Sequence, residues 1–478
     1  MMKLGDLLVA AKLVTADQVT AALNLQRVNG KNLGENLVAV GAISQGEIDD
    51  FLHRMPRAPQ NLDETGLDLQ FLLNLLLKQI YVGRLELASQ IAAALKLPPL
   101  IVQQLIDYAI KRQLLRALGS RSQDSYSTSY GLTDEGMRWA KEALQQSQYT
   151  GPAPVTLEAF VQQASLQKIT NVMVTLDKIR RAFSELTIPD DFIEKIGPAL
   201  NSDRAILLYG PPGNGKTSIA LSFANIFNDL IFIPHAVFIG EQIMRVFDSS
   251  LHVQQRPGEN AEFNDLLSLP HEELDHRWVP CQRPFVVTGG ELTLEMLDLR
   301  YDPVTNFYEA PLHVKALGGC FVVDDFGRQL ATPISILNRW IVPLEHRIDY
   351  LKLHTGKSFP LPFEELVIFS TNLNPKDLVE NAYMRRLPYK LFVGAPSIET
   401  FRTIFERAAH AAGMELTEAI FDHVVEKITV EKGLTLAGYQ PGFIVDQVVS
   451  TCRFMGATPH MEDRFVDYAI DNLGVLEI

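Results

Sequence analysis

The sequence predicts an α/β core, a parallel β-sheet with flanking helices, closed by a helical lid and preceded by two small modules. Three stretches carry that expectation. Gly210-Pro211-Pro212-Gly213-Asn214-Gly215-Lys216-Thr217 reads Gly-x-x-x-x-Gly-Lys-Thr, between the apolar run Ala205–Tyr209 and the helically spaced Ser218–Ala224. Cys320-Phe321-Val322-Val323 runs into Asp324-Asp325, as a buried strand does when its carboxylates emerge at its carboxyl end. Amphipathic helical spacing then fills the chain beyond Ala395.

The chain has 478 residues, 47% of them hydrophobic, enough for several cores. Its net charge of −14 argues against a surface that coats nucleic acid or acidic membranes throughout. Cys281, Cys320 and Cys452 are widely spaced, which suggests neither a disulfide framework nor a zinc site. No apolar run reaches the roughly 18 residues of a membrane span, and the start lacks the pattern of a signal peptide. A reduced, cytoplasmic setting is expected.

Residues 1–58 contain a repeat. Leu4-Gly5-Asp6-Leu7-Leu8 aligns with Leu33-Gly34-Glu35-Asn36-Leu37, and each copy continues through a polar cap, Thr15 or Ser44, into a second amphipathic helix. Two helical hairpins are predicted. The pattern resembles the amino-terminal domain of type II secretion and type IV pilus assembly ATPases, some of which bind cyclic di-GMP. Lys3 and Asn32 stand where binding members carry Arg, Lys12 replaces a glycine and Met55 replaces a Gln, so a docking or structural role is preferred to cyclic di-GMP binding. Pro56–Asn61 reads as a linker.

Residues 67–149 read as three helices (Phe71–Gln79, Glu86–Leu95, Leu100–Leu115), a hairpin with a Ser-rich tip from Ser120 to Ser129, and a helix capped by Thr133. That order resembles winged-helix domains. Arg84, Lys96, Lys111, Arg112, Arg116 and Arg121 make the segment locally basic, which raises DNA binding. Protein docking is the preferred reading, because the third helix offers base edges little beyond Gln103, Gln104, Lys111 and Arg112. Thr150–Pro154 reads as a second linker.

Residues 155–395 hold the chemistry. The loop residues Gly210, Pro211, Pro212, Gly213, Asn214 and Gly215 let backbone N–H groups turn toward phosphate, and the helix amino terminus at Ser218 adds its dipole. Lys216 supplies a cation, while the Thr217 hydroxyl and Asp324 are placed to hold Mg²⁺. Asp325 is positioned to orient the attacking water, and Asn372, at the end of Leu366–Thr371, to reach the γ-phosphate or that water. Arg385 and Arg386 follow. With these parts in order the chain resembles the AAA+ ATPases, in which the loop is Walker A and Asp324-Asp325 closes Walker B. Asn372 then matches sensor 1, and Arg385 or Arg386 the arginine finger. Most such enzymes have Glu where Asp325 stands.

The resemblance implies ATP and Mg²⁺ as ligands and a homo-oligomeric ring, usually a hexamer, whose arginine finger serves the neighbouring subunit. About 100 residues, Ser218 to Gly319, separate Walker A from Walker B, with a helix expected at Thr288–Leu292 and exposed aromatics at Phe307 and Tyr308. Ile348–Leu361 reads as a hairpin. Both features resemble the hairpin-bearing branch that includes MoxR-like proteins and enhancer-binding activators, which makes Phe307 and Tyr308 pore candidates. His271-Glu272-Glu273-Leu274-Asp275-His276 has the look of a zinc motif, but histidines five apart lie about 140° apart around a helix.

Residues 396–478 are the expected lid. The resemblance places a sensor 2 arginine near the start of its third helix, where this chain has Gly442; Arg453 lies on the same helix. The function implied is a Mg²⁺-ATP-driven remodeller of a protein partner, with a DNA-binding regulator or a nucleotide-gated scaffold as alternatives.

Overall fold

A computed structural model of the chain describes residues 4–119, 128–202, 204–255, 274–378 and 384–473. Lys3, the hairpin tip with Arg121, His271, Glu272 and Glu273, and Tyr383 lie outside the described residues.

At the centre are five parallel strands: β1 (Ile206–Tyr209), β2 (Phe285–Thr288), β3 (Cys320–Val323), β4 (Leu366–Thr371) and β5 (Tyr389–Phe392), in the order β5-β1-β4-β3-β2. Their near-continuous apolar runs follow from burial on both faces. Ile206, Leu208, Val322 and Ile368 pack on one side with Phe223 of the helix Lys216–Ile226. Leu207, Phe321, Val323 and Phe369 pack on the other around Trp340. The strand that ends in Asn372 therefore lies between the strands that present Lys216 and Asp324.

β2 corrects the expectation of a helix at Thr288–Leu292. Phe285-Val286-Val287-Thr288 is a β-branched run stopped by Gly289-Gly290, and only a short 3₁₀ turn, Leu294–Leu297, follows. Among the described residues the insertion holds further strands beside the helix Leu312–Lys315. Leu230–Pro234 pairs antiparallel with Trp278–Gln282. A five-stranded sheet joins Arg300–Asp302, Phe307–Glu309, Gln242–Arg245, Ala236–Ile239 and Val155–Thr156.

Phe307 and Tyr308 are not the exposed aromatics expected, Phe307 being partly buried and Tyr308 fully so. Tyr308 is 1% exposed and its hydroxyl bonds to His354, while Phe307 packs edge-on against Tyr149 with centroids 5.7 Å apart. They were misread because the five residues from Asp302 to Asn306 look like an exposed turn, and the aromatics that follow lie on its strand. The predicted hairpin does form, Ile348–Lys352 against Ser358–Pro362. Its inward Asp349 accepts from His313 at 2.8 Å and from Arg339 at 2.7 Å. That buried cluster holds the Asp349 carboxyl down at about 2 despite burial acting in the opposite sense.

Helices Leu4–Ala10, Ala16–Asn29, Leu33–Ala39 and Gln45–Arg54 form the two hairpins of the repeat, with capping boxes at Thr15 and Ser44. Helices Leu69–Gly83, Ala88–Leu95 and Pro99–Lys111, the hairpin Leu115–Gly119 with Ser129–Leu132, and helix Asp134–Gln146 follow.

The two predicted linkers are not free. Asp275 N–H donates to the Pro56 carbonyl at 2.9 Å, Ala153 N–H to Leu95 at 2.9 Å, and Gln79 Nε2 to Gly151 at 3.0 Å. Proline and glycine break helices and strands without making the backbone mobile, so composition alone overstated the freedom here.

Beside the second linker, Lys78 is buried and donates to the Ser147 carbonyl at 3.0 Å; desolvation lowers its pKa to about 8 from 10.5. Between those values the unfolded chain holds the extra proton, so stability rises with pH. Urea midpoints at pH 7.5 and 9.5 are expected to show that rise in the wild type and to lose it in Lys78→Met.

The lid has helices Ile398–Ala411, Glu418–Glu426 (continued by a π turn), Gln440–Phe454 and Asp463–Asp471 around Phe401, Phe405, Phe421 and Val448.

Candidate functional site

β1 ends at Tyr209, and the chain turns through Gly213 (φ +76°) and Gly215 (φ +83°) into the helix at Lys216. A Cβ on Gly213 would overlap the Tyr439 ring, so that position is closed to side chains on two counts. The loop opens onto a cavity of about 740 Å³ lined by residues 212–218, Asp325, Ser370 and Asn372. Pro211 and Gly210 contribute otherwise: their carbonyls accept from the Lys216 ammonium at 2.8 and 3.0 Å. Burial lowers the Lys216 pKa, and Asp325 and Asp324 oppose that shift. The Lys216 side chain is thus held at the loop by two backbone carbonyls.

Thr217 Oγ1 donates to Asp324 Oδ2 at 2.8 Å. This hydroxyl–carboxylate pair beside a phosphate-sized loop fits Mg²⁺, which takes few protein ligands and completes its shell with phosphate and water. No group of three or more His, Cys, Asp or Glu suited to a metal occurs among the described residues.

Asp325 adopts φ +48°, left-handed backbone in which Asp and Asn are over-represented and Glu is not. Three contacts hold it there. Asn372 Nδ2 donates to Asp325 Oδ1 at 3.1 Å, Phe326 N–H to the Ser370 carbonyl at 2.6 Å, and Thr371 Oγ1 to the Phe326 carbonyl at 2.6 Å. That backbone accommodates Asp more readily than Glu, a preference the sequence pattern does not carry.

Arg385 is exposed, and Arg386 pairs with Glu345 at 2.8 Å. Neither lines the cavity of its own chain, and nor do Gly442 or Arg453. Residues that sequence reasoning missed do line it: Glu185, Leu186, Thr187 and Ile188 ahead of β1, and Ile404, Arg407, Ala408, Ala411, Gly438 and Tyr439 from the lid. The lid touches the loop directly. Tyr439 N–H donates to the Gly213 carbonyl at 2.8 Å, and Gly438 N–H to Asn214 Oδ1 at 3.1 Å. Helical spacing of 404, 408 and 411 was readable, but nothing in it showed which face meets the core.

A family model described as "Domain of unknown function (DUF8689)" matches residues 397–472, the lid. A proteasome-activating nucleotidase of Methanospirillum hungatei is 28% identical over 191 residues, 37% of this chain and 42% of its own. The vesicular-fusion protein sec18 of Schizosaccharomyces pombe is 47% identical over 191 residues, 37% of this chain and 23% of its own. The chain thus spans less than half the length of these relatives. Among solved structures, a RuvB mutant of Thermotoga maritima aligns at 13% identity and TM-score 0.36, over 61% of this chain and 71% of that one. No helix among the described residues is long and apolar enough to cross a membrane. By these curated relatives, the chain is similar to AAA+ ATPases.

Proposed function

We propose that this chain is a Mg²⁺-dependent AAA+ ATPase that couples ATP hydrolysis to remodelling or assembly of a protein partner. The observation that carries the reading is the meeting, around one cavity, of Lys216, the Thr217–Asp324 pair and the Asp325–Asn372 pair. Loop amides and Lys216 bind the β- and γ-phosphates. Thr217 and Asp324 would hold Mg²⁺, which when bound would supply Lewis-acid stabilisation of the phosphate charge. Asp325, fixed by Asn372, orients water for attack in line with the leaving oxygen, and Arg385 or Arg386 of a neighbouring copy completes the charge around the γ-phosphate. A homo-oligomeric ring, hexameric by analogy, follows from that last role.

The amino-terminal modules are the proposed partner-selecting parts, in a cytoplasmic setting consistent with three buried free thiols. A protein is preferred to DNA as the partner. The helix Pro99–Lys111 turns out Leu100, 63% exposed, and Ile110, while Gln103 is held by Asp107 at 2.9 Å. Exposed Leu100 and Ile110 beside Asp107, on a face that also carries Gln104 and Lys111, favour a protein surface over a phosphate backbone. The pilus or secretion setting rests on the repeat alone.

The deciding experiment is steady-state ATPase activity against protein concentration, for wild type, Lys216→Ala, Arg385→Ala and Arg386→Ala. A rate per subunit that rises on assembly, and is lost in Lys216→Ala and in one arginine variant, supports the ring motor. ATP binding without turnover at any concentration would replace it with a nucleotide-gated scaffold.

A further inference from the structure

We infer that Gln329 is a positioning residue for hydrolysis: its side-chain amide sets the turn that aims Asp325. The inference rests on the ATPase reading above and names a residue for it. β3 ends at Val323, and the chain leaves it through Asp324, Asp325 (φ +48°), Phe326 and Gly327 (φ +109°), with the Arg328 N–H closing on the Asp325 carbonyl at 2.9 Å. Two positive-φ residues in one reversal make a conformation that a chain rarely holds without outside support. Gln329 spans that reversal. Its Nε2 donates to the Asp324 carbonyl at 2.7 Å, and its Oε1 accepts from the Gly327 N–H at 2.8 Å. Both ends of the amide are therefore used, one on each side of Asp325.

The clamp is itself anchored to β2 and the loop beyond it. Leu330 N–H donates to the Gly290 carbonyl at 3.1 Å, and Asp324 N–H to the Thr288 carbonyl at 2.8 Å. Asn372, Ser370 and Thr371 grip the same turn from β4, on the opposite side of β3. The side-chain type matters as well. An amide donates and accepts at once while staying neutral, so it fixes the backbone without altering the charge of Asp324 and Asp325. A lysine or arginine would pair with those carboxylates, and an ionised acid would face the Asp324 carbonyl with no proton to give. Gln329 does not line the cavity, so it reaches the chemistry through the turn. The Asp324 carboxylate is held independently by Thr217 at 2.8 Å, which leaves Asp325 as the group that loses its aim when the amide is removed.

The test is single-turnover and steady-state ATPase kinetics at several Mg²⁺ concentrations, beside binding of a non-hydrolysable ATP analogue. Full-length wild type, Gln329→Met, Gln329→Glu, Asp325→Asn and the double variant of Gln329→Met with Asp325→Asn are compared. Gln329→Met keeps the length of the side chain and loses both hydrogen bonds; kcat is expected to fall about tenfold, with KM and analogue affinity within about twofold of wild type. Gln329→Glu keeps the acceptor for Gly327 but loses the donor to Asp324, and is expected to lower kcat in the same way, which keeps the inference testable if the methionine variant does not fold. In the Asp325→Asn background the charge being aimed is gone, so Gln329→Met should cost about twofold or less. An undiminished loss in that background would show that Gln329 acts elsewhere than through Asp325 and overturn the inference. Wild-type kcat in both single variants, or a loss confined to KM or reversed by added Mg²⁺, would overturn it too. Wild type that turns over no ATP at any protein concentration would remove the ATPase reading itself, a result distinguishable because it involves no variant.

Discussion

Asp325→Asn is expected to fold as the wild type, to bind nucleotide within about threefold of it, and to lose turnover by about a hundredfold or more. Asn tolerates the left-handed backbone at φ +48° as Asp does, and its amide oxygen still accepts from Asn372 at the same distance. What is removed is the charge that orients and polarises water. The instructive partner is Asp325→Glu, which restores the residue most relatives of the resembled family carry. Here it is expected to lower the rate as well. Glu in the left-handed region is strained by about 1 kcal/mol or more, and its extra methylene pushes the carboxylate past the 3.1 Å contact with Asn372. Steady-state ATPase rates beside nucleotide titrations check both variants. A Glu variant as fast as wild type would show that the backbone does not dictate Asp here.

The same residue marks the limit of what could be read in advance. The parallel sheet, the strands through Ile206, Cys320 and Leu366, the hairpin at Ile348 and the helical repeat were legible, because each rests on a local signal: an apolar run, a turn or a cap. The loop Gly210–Thr217 was legible for the same reason, since its chemistry depends on residues adjacent in the chain. Phe307 and Tyr308 were misread because burial depends on Tyr149 and His354, far away in sequence. The Phe285–Thr288 strand was missed because four residues before a Gly-Gly turn announce a short strand and a helix start almost equally. Arg407 was invisible as a cavity residue, since docking of the lid on Gly213 and Asn214 brings it there, and Glu185 because it lies far along the chain from the loop it faces. Non-local contacts, not the chemistry of individual residues, hid that part of the site.

The largest effect expected on stability comes from a side chain far from the phosphate loop. Arg277 is 5% exposed and Asp275 2%, and the guanidinium donates to this carboxylate through Nε and Nη2 at 3.0 and 2.8 Å. Its remaining nitrogen, Nη1, donates to the carbonyls of Thr65, four residues beyond the first predicted linker, at 3.0 Å and of Pro154, in the second, at 3.3 Å. Arg277→Met leaves a buried carboxylate and two carbonyls unpaired, and is expected to cost about 3–5 kcal/mol. Adding Asp275→Leu removes the stranded charge and should restore part of that loss, which a purely steric defect would not do. A local readout separates detachment from global unfolding. Arg57 lies in the first linker, where its neighbour Pro56 accepts from Asp275 at 2.9 Å, so tryptic cleavage at Arg57 should accelerate in Arg277→Met before the nucleotide site is lost. Urea midpoints and the Arg57 cleavage rate measure the two effects, and wild-type values for both in Arg277→Met would show that the amino-terminal modules are held by other contacts. If they shift as expected, the two modules and the β insertion move as one body, and any motion of the core on ATP turnover reaches a bound partner through that body rather than through flexible tethers.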